Sequence, residues 1–201
     1  MTMKKSCLLL IAAVSFSLTQ AQSINFGAKA GLNLANVTGS DASGNSILVS
    51  FHAGVLAQFS VTNQFSVQPE ILYSGQGTKF SSSGESGTDK LGYINIPVLA
   101  KYTTSSGFFV QTGPQIGFLL SAKESSGGTT MDFKSDVTST DFSWVFGLGY
   151  LTSANIGIDG RYVLGFTNLE KNTGGSTSGT LKNGVIQIGV FYLFCDRKVK
   201  K

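Results

Sequence analysis

The run FSWVFGLGY, Phe142 to Tyr150, decides the fold. Phe142, Trp144, Phe146, Leu148 and Tyr150 occupy every second position, and Ser143, Gly147 and Gly149 lie between them. A period of two sends alternate side chains to opposite faces of an extended strand. One face of this strand is broad and apolar, and the other is nearly bare.

The same alternation runs outward in both directions. Ile24, Phe26, Ala28, Ala30, Leu32 and Leu34 oppose Asn25, Gly27, Lys29, Gly31 and Asn33. Val49, Phe51, Ala53 and Val55 oppose Ser50, His52 and Gly54, and Phe65, Val67 and Ile71 oppose Ser66, Gln68 and Glu70. Ile94, Ile96, Val98 and Ala100 oppose Asn95, Pro97, Leu99 and Lys101. Phe108, Val110, Ile116 and Phe118 oppose Gln111, Gly113, Gln115 and Gly117. Ile156, Ile158, Tyr162 and Leu164 oppose Gly157, Asp159 and Arg161, and Ile186, Ile188, Val190 and Tyr192 oppose Gln187 and Gly189. The pattern predicts eight strands of roughly ten residues, the length with which a tilted strand crosses a bilayer.

The residue sizes say which face is inside. Eight strands leave room in a barrel only for filling side chains. The small and polar set suits that interior, whereas a continuous outer band of Phe, Ile, Leu, Tyr and Trp suits lipid. The expected fold is therefore all-β, an eight-stranded antiparallel up-and-down transmembrane barrel. Composition agrees: of 201 residues only 13% are charged, while glycine supplies 25 and phenylalanine 15. The connections alternate in length. Thr62–Gln64, Thr103–Gly107 and Leu151–Asn155 are short; Val37–Ser46, Thr78–Lys90, Lys123–Thr140 and Asn168–Asn183 are long and rich in Gly, Ser, Thr and Asp. Outer-membrane barrels place short turns in the periplasm and long loops outside the cell. Pro69, Pro97 and Pro114 fall inside strands, where each lacks a ladder donor, so bulges or gaps in pairing are expected there.

The ends read separately. Lys4 and Lys5 precede an apolar stretch from Leu8 to Leu18, and Thr19 and Ala21 are small residues at −3 and −1 of a cut after Ala21. Residues 1–21 are expected to be a secretory signal peptide, 22–195 the barrel domain, and 196–201 a basic periplasmic tail. The formal charge of +4 resides at the ends: losing Lys4 and Lys5 leaves +2, and Asp196–Lys201 carries +3, so the body sums to −1. No basic surface for nucleic acid follows. Cys195 is the only cysteine after such a cleavage, so no internal disulfide and no cysteine zinc site is expected.

Several stretches then resemble a known family. Tyr93–Tyr102 (YINIPVLAKY), Phe108–Leu120 (FFVQTGPQIGFLL), Gly160–Leu169 (GRYVLGFTNL) and Lys182–Phe194 (KNGVIQIGVFYLF) are similar to the Bacteroidetes porin-family proteins, those with an outer membrane protein beta-barrel domain. The resemblance implies a small barrel like the OmpA transmembrane domain or OmpX. It also implies that the Ile-Pro and Gly-Pro placements are family habits. Barrels of this kind often end in an aromatic residue, whereas seven residues follow Phe194 here.

The candidate site is the set of charged residues expected in the lumen: Lys29, His52, Glu70, Lys101, Asp159 and Arg161. Buried charges persist when paired and hydrogen-bonded, so these read as a structural polar network. No catalytic, cofactor or metal residue is assigned, and no cofactor is expected. His52, the only histidine, lacks a motif partner for a Ser–His–acid arrangement. Gly27, Gly31, Gly147 and Gly149 precede no helix that could bind phosphate and read as lumen fillers. Asp132, Asp136 and Asp141 lack calcium-loop spacing and read as a solvated connection. The function expected is a non-enzymatic membrane scaffold displaying extracellular loops. Alternatives are a small-solute porin with a narrow polar lumen, a lipid-modifying outer-membrane enzyme and a soluble lipocalin-like binder. Expected partners are outer-membrane lipid and lipopolysaccharide, the barrel-assembly machinery and an extracellular ligand reached through the long loops.

Overall fold

A computed structural model describes residues 23–39, 45–82, 85–169 and 181–194. The proposed signal peptide, Cys195 and the basic tail lie outside the described residues. Eight strands form the wall: β1 Ser23–Gly39, β2 Leu48–Ser60, β3 Phe65–Ser82, β4 Glu85–Thr103, β5 Phe108–Ser126, β6 Thr140–Leu151, β7 Ile156–Gly165 and β8 Leu181–Leu193. Each pairs antiparallel with its neighbour in sequence. β1 pairs with β8 from Gly27↔Leu193 to Gly39↔Leu181, which closes the ring. The expected eight-stranded up-and-down barrel is what the chain forms.

Exposure settles which way the faces point. Phe142 is 57% exposed and Ile188 59%, whereas Lys29 and Arg161 are each 3% exposed. The apolar face is outside, and a lipocalin-like barrel with its apolar face inward is excluded. Near the short turns the outer face carries Tyr102, Tyr150 and Tyr192, and Phe65 packs on Tyr102 as Phe194 does on Tyr192. Polar atoms on this face are satisfied locally: the Trp144 indole donates to Thr112 Oγ1 at 2.8 Å, and Thr112 donates to the Val145 carbonyl at 2.9 Å.

The three prolines interrupt pairing without changing register. The β2/β3 ladder skips from Leu56↔Glu70 to Phe59↔Val67 around Pro69. The β3/β4 ladder skips from Pro69↔Val98 to Leu72↔Asn95, opposite Pro97. The β4/β5 ladder skips from Pro97↔Gln115 to Ala100↔Thr112, opposite Pro114. These are the expected gaps. The one register shift in that ladder lies elsewhere, at Gly92/Tyr93.

Two expectations need adjusting. Most of Thr78–Lys90 is not an irregular loop, because β3 and β4 stay paired out to Ser82↔Glu85. With β5, and with the short strands Asn45–Ser46 on β3 and Thr129–Asp132 on β5, they form a sheet that projects past the apolar band. Asp141 is not in a solvated connection: it belongs to β6 and is 2% exposed.

Candidate functional site

The lumen is built in layers because inward positions recur every second residue on all eight walls. At the short-turn end Leu56, Phe109, Leu151, Phe191 and Leu193 form an apolar plug. Glycines opposite make room for the rings: a Cβ at Gly157 would lie 2.0 Å from Phe191, and one at Gly149 would lie 2.5 Å from Phe109.

The charged layer sits above the plug. Arg161 on β7 reaches across the full width of the barrel to Glu70 on β3, four strands away in either direction. Its Nη1 and Nη2 donate to the two carboxylate oxygens at 2.7 and 2.6 Å. This bidentate geometry is the strong form of an ion pair. Arg161 Nε donates to Asp159 at 2.7 Å, and Lys29 on β1 pairs with the same Asp159 oxygen. Gln111 donates to that oxygen at 3.0 Å, and Gln68 donates to Glu70 at 2.6 Å. Glu70 is thus engaged at both oxygens, and Asp159 through Oδ2.

Lys101 has no carboxylate within ion-pair distance among the described residues. Its ammonium donates to Gln68 Oε1 at 3.1 Å and lies 3.8 Å from the Phe109 ring centre and 4.6 Å from that of Phe191. Cation–π contact gives a desolvated ammonium a partner where no anion is available. Lys101 thereby joins the charged layer to the plug.

His52 stands at the margin. Its Nδ1 is 2.7 Å from Asn33 Oδ1, and Asn33 in turn donates to Ser74 Oγ at 3.0 Å and the Gly75 carbonyl at 2.7 Å. No serine hydroxyl is bonded to the ring among the described residues. The structure therefore brings five of the six predicted residues into one connected network and leaves His52 in the neighbouring Asn33 cluster. Gly31, Gly147 and Gly189 face His52, Arg161 and Lys29, and a Cβ at any of them would come within 3.0 Å of those side chains. As lumen fillers they do what their position in the alternation suggests.

Above the charges, Ala35, Leu99, Val145, Val163 and Val185 form a second apolar layer. At the long-connection end Val37, Leu91, Tyr93, Leu119 and Ala122 meet Val137 and Leu169 from the connections themselves. The Thr138 amide donates to the Leu169 carbonyl at 2.7 Å, and the Leu169 amide to the Leu181 carbonyl at 2.8 Å. The two connections are thereby tied together over the mouth. Sequence reasoning missed these three apolar layers. Their signal was present only as extra apolar residues breaking the alternation, such as Phe191 between Val190 and Tyr192.

No curated protein matches the sequence. Solved structures similar to the barrel include Neisserial surface protein A, 16% identical, covering 86% of this chain and 100% of that one, TM-score 0.55. Ail of Yersinia pestis is 17% identical, with 85% and 98% covered and a TM-score of 0.48. OprG of Pseudomonas aeruginosa is 12% identical, with 85% and 95% covered and a TM-score of 0.49. The likeness to Neisserial surface protein A is one of fold. Residues 20–171 match the model of the outer membrane protein beta-barrel domain. With its closed eight-stranded ring and its apolar face turned to lipid, the chain belongs to the outer membrane protein beta-barrel domain family, and its place is the outer membrane.

Proposed function

We propose that this protein is a non-enzymatic outer-membrane scaffold whose working surface is the extracellular sheet and loops. The observation that carries this reading is a lumen filled along its length by the described side chains. A solute would have to pass the cap of Val137 and Leu169, the valine layer, an ion-pair network spanning the barrel and the Phe109–Phe191 plug. Each ion pair would have to be broken in a low-dielectric interior, where an unpaired charge is costly. The experiment is single-channel recording of the purified protein in planar bilayers. Silence is the expected result; steady openings would refute the scaffold and favour the small-solute porin.

The enzymatic alternative rests on His52, whose buried ring bonds Asn33 and meets no nucleophile among the described residues. Lipid hydrolysis abolished by His52→Ala in a variant that still folds would reinstate it. For the lipid partner, the arrangement of lysines supports lipopolysaccharide. Lys79, Lys90 and Lys123 are exposed on β3, β4 and β5 just beyond the outward Tyr73, Ile94 and Leu120. Lys90 and Lys123 stand directly opposite each other. Like charges in register repel, and a phosphate from the outer leaflet would relieve them. We further propose export by the signal peptide 1–21 and insertion by the barrel-assembly machinery, with the extracellular ligand met by the long connections.

A further inference from the structure

Between the valine layer and the extracellular cap lies a second polar group unlike the first. Asn95 on β4, Gly117 on β5 and Asp141 on β6 are side by side in register, all facing inward. The glycine leaves a notch between its neighbours: a Cβ there would lie 2.7 Å from Asn95 Oδ1, 3.4 Å from the Tyr93 ring and 3.6 Å from Asp141 Cβ. Asn183 on β8 completes the group, beside both the Tyr93 hydroxyl and the Asp141 carboxylate. All four side chains are at least 98% buried.

In the lower layer Arg161 holds both oxygens of Glu70, and Arg161, Lys29 and Gln111 converge on Asp159 Oδ2. Here the Tyr93 hydroxyl, Asn95 Oδ1, Asp141 Oδ1 and both polar atoms of the Asn183 amide lie outside hydrogen-bond geometry, although the Asn183 amide stands near enough to Tyr93 and Asp141 to act on both. No lysine or arginine among the described residues acts on Asp141. The cations of the lower network are on the far side of the Ala35–Val185 layer. Buried polar groups are nearly always partnered, and a cluster of exceptions signals an occupant. A buried carboxylate that stays ionised requires a counter-charge.

We propose that this chamber binds one monovalent hard cation of sodium type, held by Asp141 Oδ1, Asn95 Oδ1, Asn183 Oδ1 and the Tyr93 hydroxyl oxygen. The chemistry selects the class. Oxygen ligands favour hard cations, and calcium takes six to eight oxygens, generally with several carboxylates. This chamber offers one carboxylate and neutral oxygens, which balance a single positive charge. No group of three or more His, Cys, Asp or Glu that could hold a multivalent metal occurs among the described residues. The bound ion ties β4, β6 and β8 together beneath the long connections.

The test uses the full-length protein folded in a zwitterionic detergent. Its urea unfolding is followed in sodium chloride and in tetramethylammonium chloride at one total ionic strength. Sodium bound only by the folded state lowers the unfolding constant about tenfold for each tenfold rise in sodium above the dissociation constant. The bulky cation does not. Asp141→Asn, nearly isosteric, abolishes the sodium dependence, and Gly117→Ala weakens it by filling the notch. Identical curves in the two salts, or a sodium response unchanged in Asp141→Asn, would overturn the proposal and leave the chamber to water. If Asp141→Asn does not fold, sodium-23 line broadening with the wild-type protein decides. Broadening displaced by potassium supports the site, and its absence refutes it.

Discussion

Arg161→Met removes the side chain that joins opposite walls of the barrel by a bidentate ion pair. Its guanidinium makes three charge-assisted bonds to two carboxylates, at 2.6 to 2.7 Å, with all partners at most 1% exposed in their side chains. Solvent therefore screens none of the interaction. Glu70 would keep only Gln68, while Asp159 would keep Lys29 and Gln111. Each such bond contributes roughly 1.5–3 kcal/mol, but they share one donor group and do not add. Removing one partner of a buried pair typically costs about 3–5 kcal/mol, because the abandoned charge stays buried. The expected loss is thus about 4 kcal/mol. Adding Glu70→Leu removes the orphan and should return stability to within about 1 kcal/mol of wild type, since apolar replacement of a buried pair is often neutral. Reversible urea unfolding in phospholipid vesicles measures this, with the single tryptophan, Trp144 on the lipid face, as reporter. A single variant within about 1 kcal/mol of wild type, or a double variant worse than the single, would refute the reasoning.

Three further outcomes follow from the same geometry. Ile188→Arg, on the lipid face of β8, should destabilise the barrel by about 2–4 kcal/mol if it lies near the bilayer midplane, read from the same unfolding curves; a neutral result would place it outside the apolar band. Gly157→Ala should cost about 1–3 kcal/mol by overpacking against the Phe191 ring, and Gly157→Ala/Phe191→Leu should recover part of it. Asp89, in the projecting sheet, has its carboxyl pushed up to about 6 by burial and by Glu124 directly across the strand pair. A carboxyl whose folded value exceeds its ordinary value near 4 stabilises the fold fully below that ordinary value. This contribution is lost as pH rises through about 6. Hydrogen exchange at β4 and β5 amides above the apolar band should therefore be slower at pH 4 than at pH 7 after correction for intrinsic rates, and Asp89→Asn should remove the difference.

The alternation made the strands, their outward faces and the inward placement of Lys29, Glu70 and Arg161 legible without a structure. Partner choice was not legible. That Arg161 meets Glu70 depends on the stagger of a closed sheet and its narrow radius, neither of which is written in a local period. The apolar layers were hidden for a related reason. Where both faces are apolar, as in Val190–Phe194, a residue turned to the lumen has the same signature as one turned to lipid. Asp141 was misplaced because it sits at the first turn of the pattern, next to a Thr- and Ser-rich connection, and one residue of boundary decides between solvent and interior. The projecting sheet escaped notice because Gly, Ser and Thr carry no hydrophobic period once the strands leave the membrane.

The proline gaps make the wall unequal around its circumference. Three neighbouring ladders, from β2 to β5, each lose a rung pair in the middle, whereas the β1/β8 ladder runs unbroken where the first and last strands meet. The covalently discontinuous junction is therefore as fully zipped as the β1/β2 ladder beside it, and the interrupted arc lies among strands consecutive in the chain. Lateral pressure on such a cylinder meets fewer hydrogen bonds along that arc than at the seam between its two chain ends.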